Sequence, residues 1–118
     1  MKKIIIVDNI HDLVDSLVDL LKMLGMDVVG TGSNGQEAVA LYKSLKPDIT
    51  ILDVIMDDYD GFYAIKEIQK INPHAKFIVM TSLDSKKGYD DLLALGIKTI
   101  IRKPVTFDKI KETLNNVV

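Results

Sequence analysis

Short apolar runs alternate with longer amphipathic stretches along the whole chain. The runs are Ile4-Ile5-Ile6-Val7, Val28-Val29, Ile49-Thr50-Ile51-Leu52, Phe77-Ile78-Val79-Met80 and Thr99-Ile100-Ile101. Most are β-branched, too short for helices and apolar on both faces, the pattern of strands buried between two helical layers. The second run is the weakest, and Gly30 directly after it suits an edge strand.

The stretches between them carry helical spacing. Leu13, Leu17, Leu21 and Leu24 recur at threes and fours while Asp12, Asp15, Ser16, Asp19 and Lys22 face away, and Gly25 ends that helix. Ser33-Asn34-Gly35-Gln36 fits a capping box opening a second helix, with Ala38, Val39, Leu41, Tyr42 and Leu45 inward and Pro47 as its stop. Ile65, Ile68 and Ile71 mark a third helix closed by Asn72-Pro73, and Leu92, Leu93 and Leu95 a fourth ended by Gly96. Thr106 caps a fifth that carries Phe107, Ile110, Leu114 and Val117. Five strands alternating with five helices predict one α/β domain over 1–118: a doubly wound, five-stranded parallel sheet in the flavodoxin-like order 2-1-3-4-5.

Composition narrows the function. The chain is long enough for one domain with a real core, and too apolar for disorder. Fifteen basic against seventeen acidic residues are too balanced for a chain living on non-specific nucleic-acid contacts. The absence of cysteine excludes disulfides, thiolate zinc sites and thiol catalysis. His11 and His74 lie far apart in polar surroundings and read as surface residues. No apolar run approaches 18 residues, and Met1-Lys2-Lys3 leads into only four apolar residues, so a cytoplasmic location without a membrane segment is expected.

In doubly wound sheets ligands bind outside the carboxyl ends of the strands. There the first strand ends in Asp8-Asn9, the third in Asp53, the fourth in Thr81-Ser82 and the fifth in Arg102-Lys103-Pro104. Two carboxylates, an amide, a hydroxyl and an ammonium thus share one rim. That set suits Mg²⁺, which takes one or two carboxylates plus water and phosphate oxygens, together with a phosphoryl group held by a carboxylate nucleophile. Asp53, on the most central strand and flanked by Ile49, Ile51, Leu52, Val54 and Ile55, is the best nucleophile candidate. Each residue also has a plainer reading. Asp8 and Asn9 suit N-caps of the first helix, Asp53 a turn, Thr81 and Ser82 a helix start, and Lys103 and the pair Lys86-Lys87 solvated charges.

The run Ile4 to Asn9, then Asp53-Val54-Ile55-Met56 leading to Asp60-Gly61, then Val79-Met80-Thr81-Ser82, then Lys103-Pro104, resembles the receiver domain of two-component response regulators over the whole chain. The resemblance implies that Asp53 is the phosphoacceptor, that Thr81 and Lys103 contact the phosphoryl group, and that Asp8 belongs to the acidic pair. It implies Mg²⁺ held by Asp8, Asn9, Asp53 and the backbone carbonyl of Ile55, and a cis peptide at Lys103-Pro104. A sensor histidine kinase or phosphotransfer protein would be the donor. A downstream protein would be the target, reached through the fourth-helix, fifth-strand, fifth-helix face, with no direct contact to nucleic acid or membrane.

Four departures carry consequences. Asn9 stands where the family has a second acidic ligand, which should weaken Mg²⁺. Asp57 replaces the usual proline after Met56 and should loosen that loop. Ile100 replaces the aromatic switch partner of Thr81. Ile55 and Leu83, both apolar, occupy the positions two after Asp53 and two after Thr81, and should shield a phosphoryl group from water. Ile55→Asn with Leu83→Glu is then expected to shorten its half-time. Gly88 admits two readings: a soft start to the fourth helix beside the switch, or a tolerated surface glycine. The alternative function is a pseudo-receiver, an interaction module without regulated phosphorylation. A phosphatase of the haloacid-dehalogenase type ranks lower because Ile55 stands where its second acid belongs. A flavodoxin ranks low because Asn9-Ile10-His11-Asp12 has no phosphate cradle.

Overall fold

A computed structural model describes residues 1–55, 60–82 and 86–117. The elements follow in strict alternation: β1 (Lys3–Val7), α1 (His11–Met23), β2 (Asp27–Gly32), α2 (Gly35–Leu45), β3 (Ile49–Asp53), α3 (Gly61–Ile71), β4 (Lys76–Thr81), α4 (Lys86–Ala94), β5 (Ile100–Arg102) and α5 (Phe107–Val117). All strand pairs are parallel and the sheet order is β2-β1-β3-β4-β5, as the alternation predicts. Among the described residues no helix is long and apolar enough to cross a membrane.

Strand alternation divides the core into two layers. Ile4, Ile6, Ile49, Ile51, Ile78 and Met80 face α1 and α5, meeting Leu17, Leu21, Ile110 and Leu114. Val7, Leu52, Val54, Phe77 and Val79 face the opposite layer, meeting Ala38, Tyr42, Ala64, Ile65, Ile68 and Leu92. Thr50 sits within β3, fully buried, and its hydroxyl has no hydrogen-bond partner among the described residues.

Several local expectations are corrected. β2 is longer than Val28-Val29, because pairing with β1 continues past an irregularity at Ile4/Ile5 as far as Gly32. The α2 cap sits one residue later than Ser33 and Gln36 suggest. Asn34 Oδ1 accepts from Glu37 N–H at 2.8 Å, and Glu37 Oε1 reaches back to Ser33 N–H at 2.8 Å. β5 begins at Ile100 rather than Thr99. Ile71, Leu93 and Phe107, which help mark α3, α4 and α5 in the sequence, are exposed. Gly88 is buried on α4, so the surface-glycine reading fails.

Other stops and caps fall where expected. Gly25 and Gly96 take left-handed φ values of +79° and +84° after α1 and α4. Thr106 Oγ1 accepts from Lys109 N–H at 3.2 Å at the start of α5. His11 and His74 are exposed. Lys86 and Lys87 are solvated and pair with Asp90 and Asp91 one turn on. Asp57 and Leu83 lie outside the described residues, as does the helix start at Asp84-Ser85.

Candidate functional site

The carboxyl ends of β1, β3, β4 and β5 converge because the strands are parallel and adjacent. Asp8 follows directly on β1, Asp53 closes β3, Thr81 closes β4, and Lys103 follows β5. Asp8 and Asp53 are 1% and 4% exposed, so two carboxylates are taken almost wholly out of bulk water. Such groups persist only with partners. Lys103 Nζ supplies one to both, 2.8 Å from Asp8 Oδ2 and 3.2 Å from Asp53 Oδ2.

The remaining carboxylate oxygens are held by backbone donors. Ile10 N–H donates to Asp8 Oδ1 at 2.9 Å, and Ile55 N–H to Asp53 Oδ1 at 3.2 Å. These bonds settle the plainer reading of Asp8 and Asn9. The N-cap of α1 is Ile10, without a side-chain cap, because the Asp8 carboxylate is turned to the site instead. Asn9 is exposed, and its side chain makes no hydrogen bond among the described residues.

Lys103 is aimed by its own backbone. Its N–H donates to the Thr81 carbonyl at 2.8 Å, and the Lys103-Pro104 peptide is cis, as the resemblance implies. Thr81, fully buried, is also the ladder partner of Arg102, whose guanidinium lies 6.0 Å from the centroid of the Tyr89 ring on α4. Ile100 pairs with Val79 one strand pleat below and packs in the α2–α3–α4 layer, away from the rim. Ile55 is 49% exposed, an apolar side chain two residues after Asp53.

Two residues acquire roles that their place in the sequence pattern does not convey. Asp60 caps α3, its Oδ1 accepting from Tyr63 N–H at 3.0 Å. Gly61 donates its N–H to the Val54 carbonyl at 3.1 Å. A Cβ on Gly61 would press on the Asp53 carbonyl oxygen and come within 2.5 Å of Val54 Cα. The glycine therefore lets α3 start directly against the backbone of Asp53 and Val54. Asp-Gly after an apolar strand reads as turn chemistry; a close approach between two backbones leaves no mark in local sequence.

Electrostatics follow from this packing. Burial pushes the Asp53 carboxyl up from the ordinary aspartate value, and the Asp8 charge adds to the rise. The Ile55 N–H and the Lys103 ammonium pull it back, and the net direction is upward. Among the described residues no group of three or more His, Cys, Asp and Glu gathers, so the buried donors are two carboxylates. That set fits Mg²⁺, which needs one or two carboxylates and keeps several waters, and fits poorly a metal that demands an all-protein cage.

A doubly wound sheet with two buried carboxylates bridged by a lysine at its carboxyl edge defines the class. The chain belongs to the response regulator receiver domain family, whose model matches residues 4–115. It is 39% identical over 116 residues to the chemotaxis protein CheY of Thermotoga maritima, covering 98% of this chain and 97% of that protein. It is 33% identical to the chemotaxis protein CheY of Bacillus subtilis, over 96% of this chain and 94% of that one. Among solved structures, the CheX-CheY-BeF3-Mg complex of Borrelia burgdorferi superimposes with a TM-score of 0.92 at 29% identity, covering 98% of this chain and 88% of that chain. This protein is therefore a receiver domain of the CheY-like, two-component signalling kind.

Proposed function

We propose that this receiver is a phosphoacceptor. Asp53 takes a phosphoryl group from a phosphohistidine donor, a sensor kinase or phosphotransfer protein. The observation that carries the reading is Lys103 Nζ bridging Asp8 and Asp53, a cation already set beside the nucleophile where phosphoryl oxygens would arrive.

In the transfer an Asp53 carboxylate oxygen bonds to phosphorus as the donor's N–P bond breaks. The electron pair stays on the imidazole nitrogen, which takes up a proton. Lys103 neutralises an equatorial oxygen, and Thr81 offers a hydroxyl from the next strand end. Mg²⁺, held by Asp8, Asp53, the Ile55 carbonyl and more weakly by Asn9, would supply further neutralisation of the phosphoryl oxygens. The raised Asp53 pKa favours the reaction, since a poorly solvated carboxylate is a better nucleophile and its esterification removes a buried charge. Ile55 crowds the site with an apolar group, so hydrolysis of the product is slow.

Output goes to a protein partner through α4, β5 and α5. The support is local: Arg102 is both the ladder partner of Thr81 and the cation over Tyr89, so a shift at Thr81 has a direct path to α4. The test is intact mass after incubation with acetyl phosphate, with and without Mg²⁺, on the wild type and Asp53→Ala. One added phosphoryl group that requires both Mg²⁺ and Asp53 is expected. No added mass in a folded sample at any Mg²⁺ concentration overturns the reading in favour of a pseudo-receiver.

A further inference from the structure

The end of the sheet opposite Asp53 carries a second feature. Two depressions adjoin there, of about 180 and 560 Å³, sharing His74, Ala75, Lys76 and Val117. Lys2 and Lys76 line the first, Lys76 and Lys98 the second. All three lysines are exposed, and none forms an ion pair among the described residues. Beneath them the larger depression is lined by buried Phe77 and Ile97, and Asn72 and Asn116 place amides along the trough. Asp48 is the acid on its lining, and its Oδ2 already accepts from Lys3 N–H at 2.8 Å.

Lysines at this end of a doubly wound fold have an ordinary explanation, the negative ends of the helix dipoles. It accounts for Lys22, Lys43 and Lys70, which sit in the last turns of α1, α2 and α3. It does not account for Lys2, Lys76 and Lys98, which come from strand starts and the loop before β5. Unpaired like charges along the two adjoining depressions, Lys2 on the smaller, Lys98 on the larger and Lys76 on both, repel one another and are relieved by an anionic occupant. The cations are also spread out. From β1 across β3 and β4 to β5 is three strand spacings, roughly 14 Å, the reach of about four or five residues of extended chain. An extended segment matches that spread without drawing the three side chains together.

We propose that this trough is a docking site for an extended acidic segment of a protein partner, with one apolar side chain seated over Phe77 and Ile97 and carboxylates against Lys2, Lys76 and Lys98. The site is independent of phosphorylation on Asp53.

The probe is a fluorescein-labelled octapeptide of glutamates interrupted by two phenylalanines, followed by fluorescence anisotropy at low salt. Binding is expected, weakened at least tenfold by Lys76→Glu with Lys98→Glu and by the milder Lys76→Gln with Lys98→Gln. Lys86→Glu with Lys87→Glu should stay within twofold of the wild type, as should Asp53→Ala. Melting curves of each variant exclude unfolding as the cause of any loss. No binding by the wild type at millimolar protein overturns the proposal, as does equal weakening by the α4 pair. Displacement of the peptide by ATP or by phosphatidylglycerol vesicles at lower concentration than by unlabelled peptide also overturns it.

Discussion

Lys103 Nζ stands 3.2 Å from Asp53 Oδ2, joining the ends of two strands that are not neighbours in the sheet. The same nitrogen holds Asp8 at 2.8 Å, so one cation stabilises two buried carboxylates. Lys103→Met removes the partner and keeps the aliphatic stem. It should cost about 3 kcal/mol, the low end for breaking a buried pair, because the lysine side chain is 13% exposed at the rim. Urea unfolding at neutral pH measures the loss, and phosphorylation by acetyl phosphate should slow in parallel.

Asp53 opposes stability at neutral pH. Its folded pKa lies above its unfolded one, so between the two values the native state holds more protons than the unfolded chain. Its contribution therefore falls as pH rises through that window and stays unfavourable above it. Asp53→Asn, which keeps an oxygen for Lys103 and Ile55, should melt higher than the wild type at pH 7 in metal-free buffer. The advantage should shrink as pH is lowered toward the unfolded carboxylate value. A melting difference independent of pH would contradict this account.

Gly61→Ala tests the close approach of α3 to the end of β3. The added methyl meets backbone atoms of Asp53 and Val54, which cannot swing aside as a side chain could. A loss of about 1–3 kcal/mol is expected, with slower phosphorylation because the displaced backbone carries Asp53. Gly25→Ala is the control. It has open space but φ +79°, so it should cost about 1 kcal/mol and leave the phosphorylation rate alone.

Asn9→Asp adds a carboxylate at an exposed position beside two buried ones. Mg²⁺ affinity, measured by calorimetric titration, should rise about tenfold through the added negative charge. Without metal the same substitution should lower the melting temperature slightly by repulsion. Equal affinities would mean that position 9 does not face the cation.

Thr50→Val removes a buried hydroxyl that has no partner among the described residues, while conserving shape. It should stabilise the domain by about 1 kcal/mol, read from the urea midpoint at unchanged slope.

Much of this was legible in one dimension. Short, mostly β-branched apolar runs between amphipathic stretches point to a parallel sheet with two helical layers, because strands buried on both faces are apolar at nearly every position. The sheet order then gathers Asp8, Asp53, Thr81 and Lys103 at one edge, and each was readable as the polar residue ending its run. Helix margins were not. Leu93 and Phe107 fit their helical period, yet whether a stripe's outermost residue is covered depends on the neighbouring element.

Spacing along the chain therefore determined the elements, their order and the chemical inventory of the rim. The tertiary structure alone decided which atoms meet: that Lys103 bridges two carboxylates, that Gly61 must lack a side chain, that the Thr50 hydroxyl is buried. The reason is physical. Periodicity reports which face of an element turns inward, an averaged property of many residues. A hydrogen bond or a backbone contact depends on ångström-scale distances between segments far apart in sequence, which no local pattern encodes.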